Sequence, residues 1–313
     1  MEEDKRVLLF SGGLDSYIAW HFLGKPPCVY FDIGLPVCKE EIRVIKELGV
    51  PITIDSSINL ADREVAGDSK FIPGRNLYYA LLATKYADEI YMAGLADDNV
   101  NDKNPGIFEE FSRTLTILNN KPIKVMSPFW EHTKADIVKW YLENVKETEQ
   151  LIKTGSCYDL TEGNYCGKCR CCFRKWVALW VNGIKLPFYN RDLIAEYFKK
   201  ARSGVFVSQR NDNIIRTVRE FLAKKIYSVD IDGVLTIETE GHDYANRTPN
   251  VENINKINAL YRAGHTINLW TSRFPVDREV TEAWLEKHKV NYNSLSLGKH
   301  QYDFLIDDKA IFL

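Results

Sequence analysis

The sequence predicts an α/β protein built on parallel sheets and divided into two domains. Three observations carry this expectation. Short runs rich in β-branched and aromatic residues alternate with amphipathic stretches, the pattern of βαβ units. Two apolar runs, "RVLLFSGGLDSYIAW" at residues 6–20 and "YSVDIDGVLT" at residues 227–236, are each interrupted where a strand hands over to the next element. A chain of 313 residues is long enough for two such units with their own cores. With 45% hydrophobic and 27% charged residues, the composition excludes a disordered or fibrous chain. A formal net charge of -2 gives no global attraction to nucleic acid or to an anionic membrane. No apolar run approaches the roughly 18–20 residues of a membrane span, and the opening "MEEDKR" lacks a basic-then-apolar signal. A cytoplasmic protein without membrane partners is therefore expected.

In chain order, strands are expected at Val7 to Phe10, Cys28 to Asp32, Ile52 to Asp55, Glu89 to Ala93 and Ile123 to Met126. Amphipathic stretches between them predict helices at about Asp15 to Leu23, Cys38 to Leu48, Asn76 to Tyr86 and Ile107 to Leu118. A further helix opens at Thr133, a good N-cap, with Asp136 at the third position. The first domain is assigned to residues 1–189, including a cysteine-rich segment at 157–172 followed by a helix beginning near Phe173. Residues 190–225 carry no strand signal and read as a helical connector. Lys199, Lys200, Arg202, Arg210, Arg216, Arg219, Lys224 and Lys225 make it locally basic, which reads as a solvated face or linker ahead of an RNA or nucleotide contact. The βα pattern restarts over 226–313, with strands near Tyr227 to Ile231, Thr266 to Trp270 and Asp303 to Ile306.

Tight glycine turns at a strand end aim backbone N–H groups at the mouth of the next helix, where the dipole also favours an anion. In "SGGLDS", Gly12 and Gly13 admit a phosphate to the backbone, and Ser11 and Ser16 add hydroxyl donors. The lysine of G-x-x-x-x-G-K-[ST] is missing, which argues against γ-phosphoryl transfer. The loop resembles the signature of the N-type ATP pyrophosphatases, the PP-loop group of adenine nucleotide α-hydrolases. That resemblance implies that Ser11, Gly12, Gly13, Asp15 and Ser16 cradle the leaving pyrophosphate, with Asp15 near magnesium and catalytic.

Five of the seven cysteines, Cys157, Cys166, Cys169, Cys171 and Cys172, fall within sixteen residues. In a reducing compartment such a cluster points to a metal ahead of disulfides. C-x2-C steps let thiolates converge on one tetrahedral cation, and Gly167 supplies the turn of a zinc knuckle. Four thiolates would close the coordination sphere, so the zinc would be structural. Spacing leaves Cys171 and Cys172 in competition for the fourth place.

Taken in order, the loop at Ser11, "IPGRN" at 72–76, "TKADI" at 133–137, and "GSCYD" followed by "CGKCRCC" resemble the QueC family of 7-cyano-7-deazaguanine synthases over roughly residues 6–185. The family spacing favours Cys157, Cys166, Cys169 and Cys172 as the zinc set. The resemblance implies ATP as cosubstrate and adenylation of the carboxylate of 7-carboxy-7-deazaguanine. Ammonia then opens the mixed anhydride to an amide, and a second ATP dehydrates the amide to a nitrile. Arg75 and Asn76 would bind substrate or nucleotide. Between Gly94 and Phe111 the chain departs from the family, in which a tyrosine-proline-aspartate-cysteine-arginine stretch is expected. One rival reading follows: a QueC-like ligase that delivers the deazapurine acid to an amine of a partner protein or macromolecule, outside queuosine synthesis and possibly in phage defence. A second is a tRNA sulfur transferase, which needs a reactive thiol in the sheet domain, where only Cys28 and Cys38 lie. A homodimer is compatible with each reading.

In "VDIDGVLT", Asp230 and Asp232 stand two apart at a strand end and share a side. Thr271 in "LWTSR", Lys299 in "LGKH", and Asp307 and Asp308 in "LIDDKA" follow in order. The series resembles the haloacid dehalogenase (HAD) phosphatases across residues 226–313. That resemblance implies Asp230 as nucleophile, Asp232 as general acid/base, Thr271 and Lys299 as phosphate ligands, and magnesium held among Asp230, Asp232, Asp307 and Asp308. The spacing leaves no room for a large cap, so a second, capless Rossmann-like domain with an open site is expected.

Overall fold

The computed structural model describes residues 5–65, 72–98, 101–157, 163–238, 240–262 and 264–300. The chain forms two compact units, Met1–Phe221 and Leu222–Leu313.

The first unit is a five-stranded parallel sheet in the order β3-β2-β1-β4-β5. Its strands are β1 (Arg6–Leu9), β2 (Cys28–Phe31), β3 (Thr53–Asp55), β4 (Glu89–Tyr91) and β5 (Lys124–Met126). All five expected strands are present. Parallel strands covered on both faces read as short apolar runs, and β2 is buried at every position. The crossovers are α1 (Leu14–Phe22), α2 (Pro36–Glu47), α3 (Arg75–Ala83) and α4 (Pro105–Asn119), followed by α5 (Lys134–Asn144) after β5. Thr133 caps α5 as expected: its hydroxyl accepts from the Asp136 amide while the Asp136 carboxylate accepts from the Thr133 amide. The strand order reverses between β1 and β4, and the crevice beyond the strand ends at such a reversal is where open α/β sheets bind ligands.

After α6 (Thr148–Lys153) the chain enters the cysteine segment and then α7 (Arg170–Val181). Residues 190–225, expected as a helical connector, do form helices, α8 (Arg191–Arg202) and α9 (Ser208–Leu222), but these pack into the first unit's core. The physical reason is an apolar stripe: Leu193, Ile194, Ala201, Ile214 and Val218 are buried, while Lys199, Arg202, Arg216 and Arg219 cover the outer faces and Arg210 turns inward to donate to the Asp97 carbonyl.

The second unit is a parallel sheet of β6 (Ile226–Val229), β7 (Thr266–Trp270) and β8 (Ser294–Ser296), with α10 (Val251–Arg262) and α11 (Arg278–Lys287). Its core gathers Val229, Ile231, Leu235, Ile257, Leu269 and Trp284. The short Ser-Leu-Ser strand β8 was not expected from sequence, and the strand expected at Asp303 to Ile306 lies outside the described residues. Among the described residues, no helix of either unit is long and apolar enough to cross a membrane.

Candidate functional site

The loop from β1 to α1 is built as a cradle. Gly12 adopts φ +70°, and a Cβ there would meet Ile45 Cγ1 at 3.1 Å and Val44 Cγ1 at 3.3 Å, so α2 can approach only a glycine. Ser16 ties the loop internally: its hydroxyl donates to the Gly13 carbonyl at 3.0 Å and accepts from the Ser11 amide at 3.3 Å. From the far end of the domain, the Gly155 amide donates to the Gly12 carbonyl at 2.9 Å. Expected cradle residues Ser11, Gly13, Asp15 and Ser16 all line one cleft of about 510 Å³, a volume in the usual range of ligand sites.

Charges converge on that cleft from distant parts of the sequence. Asp15, in the first turn of α1, pairs with Lys134 at the start of α5. The Lys134 amide in turn donates to Asp97 Oδ1 at 3.2 Å. Arg174 Nη2 on α7 donates to Asp98 Oδ1 at 2.9 Å and lies 3.5 Å from Asp97 Oδ2. Lys103 Nζ reaches Asp98 Oδ2 at 3.0 Å. Burial alone would raise the Asp98 carboxyl, but Lys103, Arg174 and Lys134 outweigh it and hold the group well below the usual carboxylate range. Lys175 is 1% exposed, and burial pulls its ammonium down to about 7. Its Nζ donates to the carbonyls of Ile152 at 3.0 Å and Thr154 at 2.7 Å and to Thr154 Oγ1 at 2.9 Å, bonds that favour the charged form. The cleft thus sets the cations Lys103, Lys134 and Arg174 beside the cradle, suited to a polyphosphate, while Lys175 spends its three donors on Ile152 and Thr154. The sequence alone assigned a role to none of Lys103, Lys134, Arg174 and Lys175, although Lys134 lies in "TKADI".

Of the two expected substrate residues, Arg75 is the first residue of α3 and faces the cleft with Asn76. Asn76 Nδ2 also donates to the Asp102 carbonyl at 3.4 Å. In the stretch that departs from the family, Asn104 caps α4 by accepting from the Ile107 amide, and Asp102 and Lys103 face the cleft.

Cys157, Cys166, Cys169 and Cys172 bring their sulfurs within 4.8 Å of one another, and Cys171 is not of this set. The Cys157–Cys169 and Cys166–Cys172 separations are 3.7 and 3.8 Å. Tetrahedral Zn–S bonds of about 2.3 Å require sulfurs ~3.8 Å apart, so this donor set fits zinc. Gly167 makes the turn at φ +63°, where a Cβ would meet the Pro187 carbonyl at 3.2 Å.

The second unit brings together those of its expected site residues that lie among the described residues. Asp230 follows β6, accepts from the Ile231 amide at 2.8 Å and pairs with Lys299. Both oxygens of Asp232 accept from Arg273, at 2.9 Å from Nε and 2.7 Å from Nη2, and Arg247 lies 3.8 Å away. Thr271 is fully buried, and its carbonyl accepts from the Lys299 amide at 3.0 Å, which fixes that turn beneath Asp230. Asp307 and Asp308 lie outside the described residues. Arg273 and Arg247 were not foreseen. "TSR" held the signal for Arg273, since an arginine just past a strand end faces the same crevice as the strand-end aspartates.

Residues 30–182 match the family described as "Queuosine biosynthesis protein QueC". A 7-cyano-7-deazaguanine synthase of Psychromonas ingrahamii is 27% identical over 221 residues, covering 60% of this chain and 98% of that protein. One from Methanobrevibacter smithii is 26% identical over 233 residues, covering 60% and 98%. A solved structure from Vibrio cholerae shares 30% identity over 28% of this chain and 82% of that one, at a TM-score of 0.25. The relatives are matched over nearly their full length, the matched family region lies wholly within the first unit, and this unit carries the cradle, the cationic cleft and the four-cysteine cluster. The first unit of the chain belongs to the QueC family.

Proposed function

We propose that the first unit uses ATP to adenylate the carboxylate of 7-carboxy-7-deazaguanine, that ammonia opens the adenylate to the amide, and that a second ATP adenylates the amide oxygen, which leaves with AMP as the nitrogen gives up its protons to form the nitrile. The observation that carries this reading is the cleft itself: a pyrophosphate cradle and the cations Lys103, Lys134 and Arg174 open onto Arg75 at one switch point, in a unit of the QueC family. A carboxylate oxygen of the substrate attacks the α-phosphorus as the bond to the β-phosphate oxygen breaks. The leaving pyrophosphate carries its charge into the Ser11–Ser16 loop, where backbone N–H groups and the helix dipole stabilise it. Lys134 and Arg174 neutralise the charge that remains. An amine then attacks the acyl carbon, AMP leaves, and the nitrogen gives up a proton. Magnesium arriving with ATP would be held by Asp15 and supply further charge neutralisation. Zinc in the four-cysteine cluster would be structural, joining the Gly155 strap to α7.

The departed stretch favours a second acceptor. In the stretch that lacks the expected cysteine and arginine, Lys103 is paired to Asp98 and Asn104 is spent as a helix cap. Adenylation needs the cradle and a positioned carboxylate, which are intact, whereas amide dehydration needs the acceptor side, which is altered. An amine on a partner protein would serve as acceptor without a second ATP. The sulfur-transfer reading gains nothing from Cys28, whose thiol is buried and pushed up to about 12, the reverse of a reactive thiolate.

For the second unit we propose a magnesium-dependent HAD-type phosphohydrolase: Asp230 attacks phosphorus as the bond to the leaving alcohol breaks, and water then hydrolyses the aspartyl phosphate, with Asp232 moving the protons once it is released from Arg273, which holds both of its oxygens. The support is the convergence of Asp230, Lys299, Thr271 and Asp232 at one end of the parallel sheet.

The experiment that tests the first reading is product analysis with 7-carboxy-7-deazaguanine, ATP and ammonium. AMP and pyrophosphate in equal amounts support it, and release of ADP and orthophosphate by an Asp230→Asn chain overturns it.

A further inference from the structure

One carboxylate faces the nucleotide cleft with an oxygen to spare. Glu41 points from α2 into the cleft, where its Oε2 accepts from the Tyr30 hydroxyl at 2.6 Å. Its Oε1 makes no hydrogen bond among the described residues. Burial raises the proton affinity of Glu41, while the Tyr30 bond and the nearby Arg75 oppose that rise. Burial and the Glu41 charge push the Tyr30 hydroxyl far up, so it stays protonated and donates. Beside this pair, Phe31 and Tyr79 stack with ring centroids 5.6 Å apart and planes 16° apart, and both line the cleft. A half-buried carboxylate next to an aromatic wall suits a flat ring that carries hydrogen-bond donors on one edge.

We propose that Glu41, oriented by Tyr30, reads the N1–H and 2-amino edge of the deazaguanine ring. This deepens the adenylation reading above and rests on it. An ionised carboxylate only accepts hydrogen bonds. The guanine edge offers two adjacent donors, which two such acceptors satisfy together. The adenine edge offers one donor and one acceptor, so its N1 lone pair would face a carboxylate oxygen left without a donor. Two ligand donors also favour the ionised form of Glu41. The carboxylate therefore selects the deazaguanine acid for this wall and turns the adenine of ATP away from it.

The test is equilibrium binding to the full chain, by calorimetry, of ATP, of 7-carboxy-7-deazaguanine and of the same acid without its 2-amino group. For the unmodified chain, loss of the 2-amino group should weaken binding at least about tenfold, as sites built around a hydrogen bond reject ligands that lack it. Glu41→Gln should weaken the deazaguanine acid by about tenfold or more and bring the two acids within about threefold of each other, with ATP changed by less than about twofold. Tyr30→Phe should act in the same direction by a smaller factor, and it supplies the answer if Glu41→Gln melts early. Unchanged binding of the deazaguanine acid to Glu41→Gln, or a loss confined to ATP, overturns the assignment. Because binding is read without turnover, a chain that discriminates the two acids, loses that discrimination in Glu41→Gln and yet releases no AMP upholds Glu41 and refutes adenylation. A chain that binds neither acid overturns both.

Discussion

Replacing Arg174 by methionine should destabilise the first unit more than any single surface change. Arg174 is the cation nearest two carboxylates whose side chains are 4% and 6% exposed, Asp98 at 2.9 Å and Asp97 at 3.5 Å. Removing one partner of a buried pair costs roughly 3–5 kcal/mol, because a charge is left in low dielectric without compensation. Lys103 remains 3.0 Å from Asp98, and the Arg174 side chain is 24% exposed, which lowers the expectation to about 2–3 kcal/mol. For a unit of this size that is a fall in melting temperature of roughly 5–10 °C. A calorimetric scan of the intact chain should show that fall in the first unit's transition at pH 7, with the second unit's transition in place. The deficit should also depend on pH. Cations hold the folded-state pKa of Asp98 below its unfolded value of about 3.9, so its contribution is full above that value and lost as pH falls below it. The deficit of Arg174→Met should therefore shrink below about pH 4, and Asp98→Asn in the same chain should recover part of it at pH 7. A shift under about 2 °C at pH 7, or a deficit that does not change with pH, would refute the reasoning.

Three further outcomes follow from the sites. Zinc should be found at one ion per chain, and Cys169→Ser should lower both metal content and the first unit's melting temperature, because binding energy in such a site is folding energy; unchanged melting in strong chelator would remove the claim. Asp15→Asn should abolish AMP and pyrophosphate formation without unfolding the first unit, at a melting-temperature cost no larger than that of Arg174→Met, since it leaves one cation, Lys134, short of its carboxylate. Magnesium-dependent hydrolysis of an aryl phosphate should vanish in Asp230→Asn and persist in Asp15→Asn; persistence in Asp230→Asn would show that the second unit's nucleophile has been misassigned.

Much of the first unit was legible because its signals are local. The strands are short apolar runs, the SGGLDS loop and the knuckle are contiguous, and the Thr133 cap lies three residues from its partner. What was not legible depends on contacts between residues far apart in sequence. Lys134 meets Asp15 because β1 and β5 end on the same side of the parallel sheet, and Arg174 reaches Asp97 and Asp98, which follow β4, from α7, which packs on α5. Glu41 looks like one more charge in "CKEEIRVIKE", and its meeting with Tyr30 follows from α2 lying across β2. The basic face of 190–225 drew attention away from its apolar stripe, so two core helices read as a connector. In the second unit, β8 escaped because serines flank its one leucine, and nothing local marks such a strand.

The chemistry proposed for this cleft is activation of a deazapurine carboxylate with release of pyrophosphate from ATP. Its most direct measurement is the fate of ATP labelled at the α-phosphorus, with 7-carboxy-7-deazaguanine added and then ammonium. The account predicts label in AMP only when the acid is present, with an amide, a nitrile or an amine-trapped conjugate of the deazapurine appearing in step. Acid-independent turnover, or label recovered in ADP, would contradict it.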